Sequence, residues 1–481
     1  MKYEPTFESV STHAVPDWYN DAKFGIFFHW GLFSVPAYAK KGNNLNDMSA
    51  QDSSMEESMK ESPYAEWYMN KLRIEGSSTQ AYHAEKYGKD FQYTDFQEQF
   101  EKINENCDMK QWAEVCKNAG AKYVVLVTKH HDGYCLWPSD IKNPGDPNYQ
   151  SKRDFVGELT DAVRAEGMKM GLYYSGIFDW SFVKYPIRDI KTFIEHHLST
   201  KEYCDYSVAQ TMELIKRYHP SILWNDIGFP YQYDTNKLFA DYYNEVEDGV
   251  INDRWKQYRI EEGEDREAKL EQWTEEVLER TAREGLEGMM ANDLHHDFCT
   301  PEYATHFEYR EEKWELTRGI GMSFAYNAQE GEEDMLSYPE MVTTLVDVVS
   351  KNGNFLLNIG PEADGTIPEM QKKPLMQLGE WLKRNGEAIY GTRCWKVQEG
   401  TTGDGKEVRY TEKPDALYVS VLSADLPEKV VIKDLEIPAG SSVELLGNKA
   451  KLTWSQDEKD LCIHAAGCPD EPVHVFKISG N

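Results

Sequence analysis

Basic residues are scarce in this chain. Its 481 residues include 52 Lys and Arg against 83 Asp and Glu, a formal net charge of −31. A phosphate backbone is held by a Lys/Arg surface, so nucleic acid is excluded as the main partner, and docking on anionic lipid is disfavoured on the same ground. Long apolar runs are missing too. No stretch approaches the roughly 20 residues of a membrane span. Met1-Lys2-Tyr3-Glu4-Pro5 lacks the charged and apolar regions of a signal peptide. The eight cysteines contain no Cys-x-x-Cys pair, which reads as free thiols in a reducing compartment. These absences predict a cytoplasmic protein, although a trimmed export signal would leave the same trace. No G-x-G-x-x-G follows a strand and there is no Walker sequence, which argues against a nucleotide-binding open sheet.

Aromatic residues are abundant, with 13 Trp and 29 Tyr, and 40% of the chain is hydrophobic, enough for a sizeable core. Flat aromatic faces suit sugars and other amphipathic rings. Short apolar runs at Phe24–His29, Tyr123–Thr128, Lys169–Ser175, Ile222–Asp226, Gly249–Asp253, Gly319–Tyr326 and Asn354–Ile359 read as strands. They alternate with helix-like segments such as Met109–Ala119, Asp154–Glu166, Ser207–Tyr218, Tyr338–Ser350 and Met370–Asn385. This α/β alternation predicts a parallel sheet. Almost every strand ends in polar or aromatic residues, among them His29-Trp30, His130-His131-Asp132, Tyr173-Tyr174-Ser175 and Trp224-Asn225-Asp226. A (β/α)8-like barrel builds its site from many strand ends, so residues 1–395 are expected to form one. Residues 396–481 change to short alternating runs and are expected to form a C-terminal antiparallel β-sandwich.

Two insertions stand out. Lys41–Pro63 is polar and reads as a long loop. Glu264–Glu284 carries Leu270, Trp273, Val277 and Leu278 on one face, which predicts an amphipathic helix. That helix fits a roof over the pocket, a homo-oligomer contact or a surface excursion.

Three chemistries compete for the strand ends. A Ser or Cys nucleophile finds no G-x-S-x-G elbow. A metal-dependent barrel hydrolase would draw on His29, His130, His131, Asp226 and Glu302, but H-x-H and H-E-x-x-H spacings are absent. Adjacent His130 and His131 would face opposite ways unless their strand has already ended. Glycoside hydrolysis needs two carboxyl groups and a ring of hydroxyl-binding groups. Asp226 ends an otherwise apolar strand and shares a face with Trp224, which suits a nucleophile. Glu302 is the weaker of the two taken alone, since Pro301-Glu302-Tyr303 can simply open a turn, and Arg254 is either a pocket cation or a structural ion pair.

Nine stretches in order carry a resemblance. They are Trp18 to Gly31, Tyr64-Ala65-Glu66-Trp67-Tyr68, Thr128 to Tyr134, Leu172 to Ser175 and Leu223-Trp224-Asn225-Asp226. Then come Asn252-Asp253-Arg254-Trp255, Asp297 to Tyr303, Trp314-Glu315 with Arg318 to Gly321, and Asn352 to Pro361. Over nearly its whole length the chain resembles the α-L-fucosidases of glycoside hydrolase family 29. The resemblance implies a barrel followed by a β-sandwich, an exo-acting retaining mechanism through a covalent fucosyl-enzyme, and a fucosylated oligosaccharide or glycoconjugate as substrate. It implies no metal and no cofactor. On that pattern Asp226 is the nucleophile and Glu302 the acid/base. His29, Tyr64, Glu66, Trp67, His130, His131, Tyr173, Trp224, Arg254 and Phe324 bind the sugar. The link from Arg254 to Asp297 is longer here than the family's compact form, which admits Glu264, Glu271 and Glu275 as outside candidates for the acid/base. A sugar-binding protein that has lost turnover is the alternative from another class.

Overall fold

The computed structural model describes residues 2–42, 55–284, 292–448 and 451–480. Seven parallel strands form one curled sheet: β1 (Phe24–Phe28), β2 (Tyr123–Lys129), β3 (Lys169–Ser175), β4 (Ile222–Asp226), β5 (Val250–Ile251), β6 (Trp314–Gly319) and β7 (Gly353–Ile359). Their order is β5-β4-β3-β2-β1-β7-β6. Every residue of β1, β2, β4 and β7 is buried, as expected for strands covered on both faces.

The two edges of the sheet are joined by residues 297–303. Asp297 N donates to Ile251 O on the β5 side, while Cys299 N donates to Lys313 O and Tyr303 N to Thr317 O on the β6 side. Parallel bridges pair Asn252 with Phe298, Cys299 with Trp314 and Glu302 with Thr317. This segment takes the eighth place in the barrel without becoming a regular strand, because Pro301 has no N–H to give to a ladder.

Inside the barrel, alternate residues stack in layers. Phe27, Tyr123, Val125, Tyr173, Ile222, Trp224, Phe298 and Leu356 form one apolar cluster. Gly25 on β1 makes room for Tyr123: a Cβ there would lie only 2.4 Å from the phenol ring. The outward faces pack against helices such as Met109–Asn118, Phe155–Ala165 and Tyr338–Ser350. The last of these starts at a capping box between Ser337 and Glu340.

Several boundaries differ from the sequence reading. The sixth strand is Trp314–Gly319, not Gly319–Tyr326. Residues 320–326 turn away because Met322 N and Ser323 N donate to Glu330 Oε1 instead of a ladder. Within the expected loop Lys41–Pro63, Met55–Glu61 is helical, and residues 43–54 lie outside the described residues. The amphipathic helix is present at Arg266–Glu284. Leu270 and Val277 are buried in the main core, Leu278 is exposed, and Trp273 stacks edge-on against Tyr258. An ion pair between Glu267 and Lys191 ties it to the helix Ile190–His197, outside the barrel wall.

The C-terminal part is a sandwich of a six-stranded and a three-stranded antiparallel sheet around Val408, Val419, Val421, Ile432, Leu461 and Phe476. Its first strand, Arg393–Thr401, runs across the 395/396 division expected from sequence. Trp381 Nε1 donates to Val473 O, and Arg409 pairs with Asp347, so the sandwich is fixed to the helical layer.

Candidate active site

The site lies at the C-terminal ends of the strands, and the polar strand-end residues do converge there. Asp226, the last residue of β4, accepts on both oxygens: Oδ1 from Arg254 Nη1 at 2.9 Å and Oδ2 from the Tyr173 hydroxyl at 2.8 Å. The other guanidinium nitrogen of Arg254 donates to Glu302 Oε2 at 3.0 Å, and the Tyr64 hydroxyl to Glu302 Oε1 at 3.2 Å. One planar fork therefore spans both carboxyl groups, which is a task for Arg rather than Lys. Arg254 is itself held by Thr300, with Nε donating to Oγ1 at 2.8 Å and Nη2 to the carbonyl at 3.1 Å, and its guanidinium lies 4.9 Å from the centroid of the Trp224 ring. Burial raises Glu302 above the ordinary carboxylate range; Arg254 opposes that rise and Asp226 adds to it.

β2 ends at Lys129, so His130 and His131 are free of strand alternation and both turn into the site. Their rings lie 4.1 Å apart; His130 stacks on Tyr173, and His131 Nε2 approaches Asp226 Oδ2 at 3.6 Å. Burial pushes His29 down to about 3 and His131 down to about 4, and His130 well below its usual value. These rings are neutral at physiological pH. Neighbours fix two of their tautomers. Asn358 spends its amide N–H on Phe324 O at 2.5 Å, so its Oδ1 accepts from His29 Nδ1 at 2.6 Å. Ser175 Oγ donates to Phe178 O at 2.7 Å and accepts from His131 Nδ1 at 2.6 Å. Both histidines then present a bare Nε2, an acceptor for a hydroxyl. His130 Nδ1 is buried and makes no hydrogen bond among the described residues.

Glu66 and Trp67 enter from the short helical turn Ala65–Trp67. Lys71 Nζ braces that turn by donating to the carbonyls of Ser62 and Tyr64. Glu66 Oε2 accepts from Ala325 N at 3.0 Å, and Trp67 packs edge-on against His131 and Trp180. Phe324 sits among His29, Tyr64 and Tyr303. Nine of the ten residues expected around the two carboxyl groups are thus linked by direct contacts, and Glu66 sits beside them between Trp67 and the backbone of Ala325.

The structure adds residues that sequence reading passed over. Beneath the site, Glu315 on β6 accepts from Tyr19 OH at 2.8 Å, Tyr123 OH at 2.5 Å and Trp224 Nε1 at 3.2 Å. Burial pushes its carboxyl up to about 7. An acid set between Trp314 and Leu316 was the available signal. Thr300 and Asn358 are the other additions in a supporting role. The backbone after each carboxyl residue is unusual: Ile227 has φ 66° and Tyr303 φ 50°. Gly228 N bonds back to Asp226 O at 2.8 Å, closing a tight turn at Ile227.

The outside candidates stay apart from this network. Glu264 pairs with Lys269, and Glu271 and Glu275 are exposed on their helix. Among the described residues, metal-type ligand atoms converge in threes at His13/His295/Asp297 and at His296/Cys299/Glu312, and neither set includes a pocket histidine.

Comparison with known proteins agrees along the whole chain. The family model described as alpha-L-fucosidase matches residues 1–387. An alpha-L-fucosidase of Dictyostelium discoideum is 32% identical, with 94% of this chain and 87% of that protein covered. The human plasma alpha-L-fucosidase is also 32% identical, covering 97% and 91%. Thermotoga maritima alpha-fucosidase, solved with a mechanism based inhibitor, is 40% identical with a TM-score of 0.81 and covers 99% of this chain and 100% of its own. The same enzyme solved in complex with fucose gives a TM-score of 0.80 at the same identity and coverage. With its barrel, its sandwich and its paired carboxyl groups accounted for, the chain belongs to the α-L-fucosidases of glycoside hydrolase family 29.

Proposed function

We propose that the enzyme removes terminal α-L-fucose with retention of configuration, with Asp226 as nucleophile and Glu302 as acid/base. The observation that carries this reading is the single guanidinium shared by the two carboxyl groups. In the first step an Asp226 oxygen bonds to the anomeric carbon while the glycosidic bond breaks, and Glu302 gives its proton to the departing oxygen. Forming the ester removes the charge of Asp226, which had been raising Glu302, and leaves Arg254, which lowers it. Glu302 then favours its carboxylate just when a base is needed. It takes a proton from water as the water oxygen bonds to the anomeric carbon and Asp226 departs. Two inversions give net retention.

The floor supports exo action. Trp224, Phe27 and Tyr173 pack together in the barrel core below the carboxyl groups, and a filled floor suits a chain end. The bare Nε2 atoms of His29 and His131 suit two sugar hydroxyls. Phe324 and Tyr64 offer an apolar wall for the methyl that fucose carries in place of a 6-hydroxyl. A hexose would bury an unpaired hydroxyl there, at a cost of about 1–3 kcal/mol. A relative at 40% identity was solved in complex with fucose, which supports the same substrate here.

Azide rescue of an aryl α-L-fucoside reaction tests the assignment. Asp226→Gly should be nearly inactive and, when rescued, form β-fucosyl azide; Glu302→Ala should form the α-azide. Full activity in Glu302→Ala rejects its role.

A further inference from the structure

The eighth segment of the barrel has two faces. Phe298 and Thr300 point inward, to the core and to Arg254, so Cys299 between them points outward. There its Sγ lies 3.5 Å from His296 Nε2, and the same nitrogen lies 2.8 Å from Glu312 Oε1. His296 Nδ1 sits 3.1 Å from the carbonyl of Leu294. A carbonyl only accepts, so Nδ1 donates to it, and Nε2 is the ring atom that faces the sulfur and the carboxylate. A nitrogen, a sulfur and a carboxylate oxygen thus face one point, each of a type that binds a metal ion.

We propose that His296, Cys299 and Glu312 form a zinc site on the outer wall of the barrel, with water as the fourth ligand. The donor set is one that zinc takes. Bond lengths of about 2.3 Å to sulfur and about 2.0 Å to nitrogen, at tetrahedral angles, place S and N about 3.5 Å apart. The N to O edge would be about 3.3 Å by the same geometry, so Glu312 has to retreat by about half an ångström. Its side chain is 58% exposed and has room to do so. The bond from Nδ1 to a backbone carbonyl is the outer-shell contact that orients metal-binding histidines. Zinc takes sulfur as the thiolate, so binding displaces the thiol proton to solvent, one proton for each ion bound. The other converging set, His13/His295/Asp297, has its carboxylate already taken up by Tyr243 OH, Ile251 N and His13.

The bound ion would tie the start of the eighth segment to the turn before β6, on either side of the stretch that carries Thr300 and Glu302. Calorimetric titration of chelator-stripped, full-length protein with zinc, in two buffers of different ionisation enthalpy, should give one equivalent bound and one proton released. Cobalt in place of zinc should show sulfur-to-metal charge transfer and the visible bands of a tetrahedral ion. Cys299→Ser and His296→Ala should each weaken binding at least tenfold. Absence of zinc binding by the wild type, or equal binding by both variants, overturns the proposal. So does a cobalt spectrum without the sulfur band, and because that measurement uses the wild type, it decides even if a variant fails to fold.

Discussion

Glu315 Oε1 accepts the indole N–H of Trp224 at 3.2 Å, across 91 positions of sequence. Trp224 is stacked on Tyr173 and lies under Arg254, and those two residues hold Asp226. A buried carboxylate that touches no substrate thus sets the floor on which the nucleophile's partners rest. Glu315→Leu would leave Trp224 N–H and two tyrosine hydroxyls without an acceptor, at about 1–3 kcal/mol for each group. We expect a lower Tm and a fall in kcat of about tenfold or more, with less change in KM. A double-mutant cycle is the sharper check. In a Trp224→Phe background, Glu315→Gln should have little further effect on kcat, because the link it acts through is gone. Additive effects would reject the coupling.

Arg254 serves two carboxyl groups through two nitrogens, and an ammonium has no such fork. Arg254→Lys should keep the charge and still lose about 100-fold in kcat. Arg254→Met should also move the basic limb of the pH–rate profile upward, because Arg254 lowers Glu302 and its removal lets Glu302 hold its proton to higher pH. A limb that moves downward would contradict Glu302 as the acid.

Ile227 is β-branched and held at φ 66°, where such a residue is strained by roughly 1–3 kcal/mol. Ile227→Gly relieves that strain, whereas Ile227→Ala loses side-chain packing and keeps it. Chemical denaturation should therefore find the Gly variant more stable than the Ala variant. Its kcat should be the lower of the two, since Asp226 loses a fixed backbone. The reverse order of stability would show that the turn stores no strain.

Buried titratable groups of both kinds shape the acid limit of stability. Asp132, Glu315 and Glu330 are pushed up to about 7 by burial, so the folded state binds their protons more tightly; that stabilisation is complete below the unfolded values of 3.8 and 4.5 and is lost as pH rises through about 7. His29, His131, His196, His197 and His295 are pushed down to about 3 or 4; their contribution is complete above 6.5 and is lost as pH falls through those values. Between 4.5 and 6.5 the two sets oppose one another, and below 4.5 only Asp132 still offsets the histidines, down to 3.8. Five histidines outnumber three acids, so Tm should fall gently from pH 6.5 to 4.5 and more steeply below. A steep fall already between 6.5 and 5 would show that the acids do not offset the histidines.

Strand periodicity and polar strand ends are local properties, and both were legible in the chain. A run such as Ile222-Leu223-Trp224-Asn225-Asp226 declares which side chains share a face wherever it is placed, so β1 to β4, β7, the later sandwich strands and the place of Asp226 at a strand end follow from residues alone. The sixth strand was displaced because Trp314–Gly319 mixes charged residues into a buried position, and only the closed barrel supplies Glu315 with its three donors. The eighth segment shows no strand pattern, since its hydrogen bonds are divided between two edges that meet only on closure. Pairing Glu302 with Arg254 and with Tyr64, 48 and 238 positions away, depends on the same closure. Sequence determined which residue types stand at the strand ends; tertiary structure decided which of them meet, because burial and through-space contact are set by how the chain returns on itself.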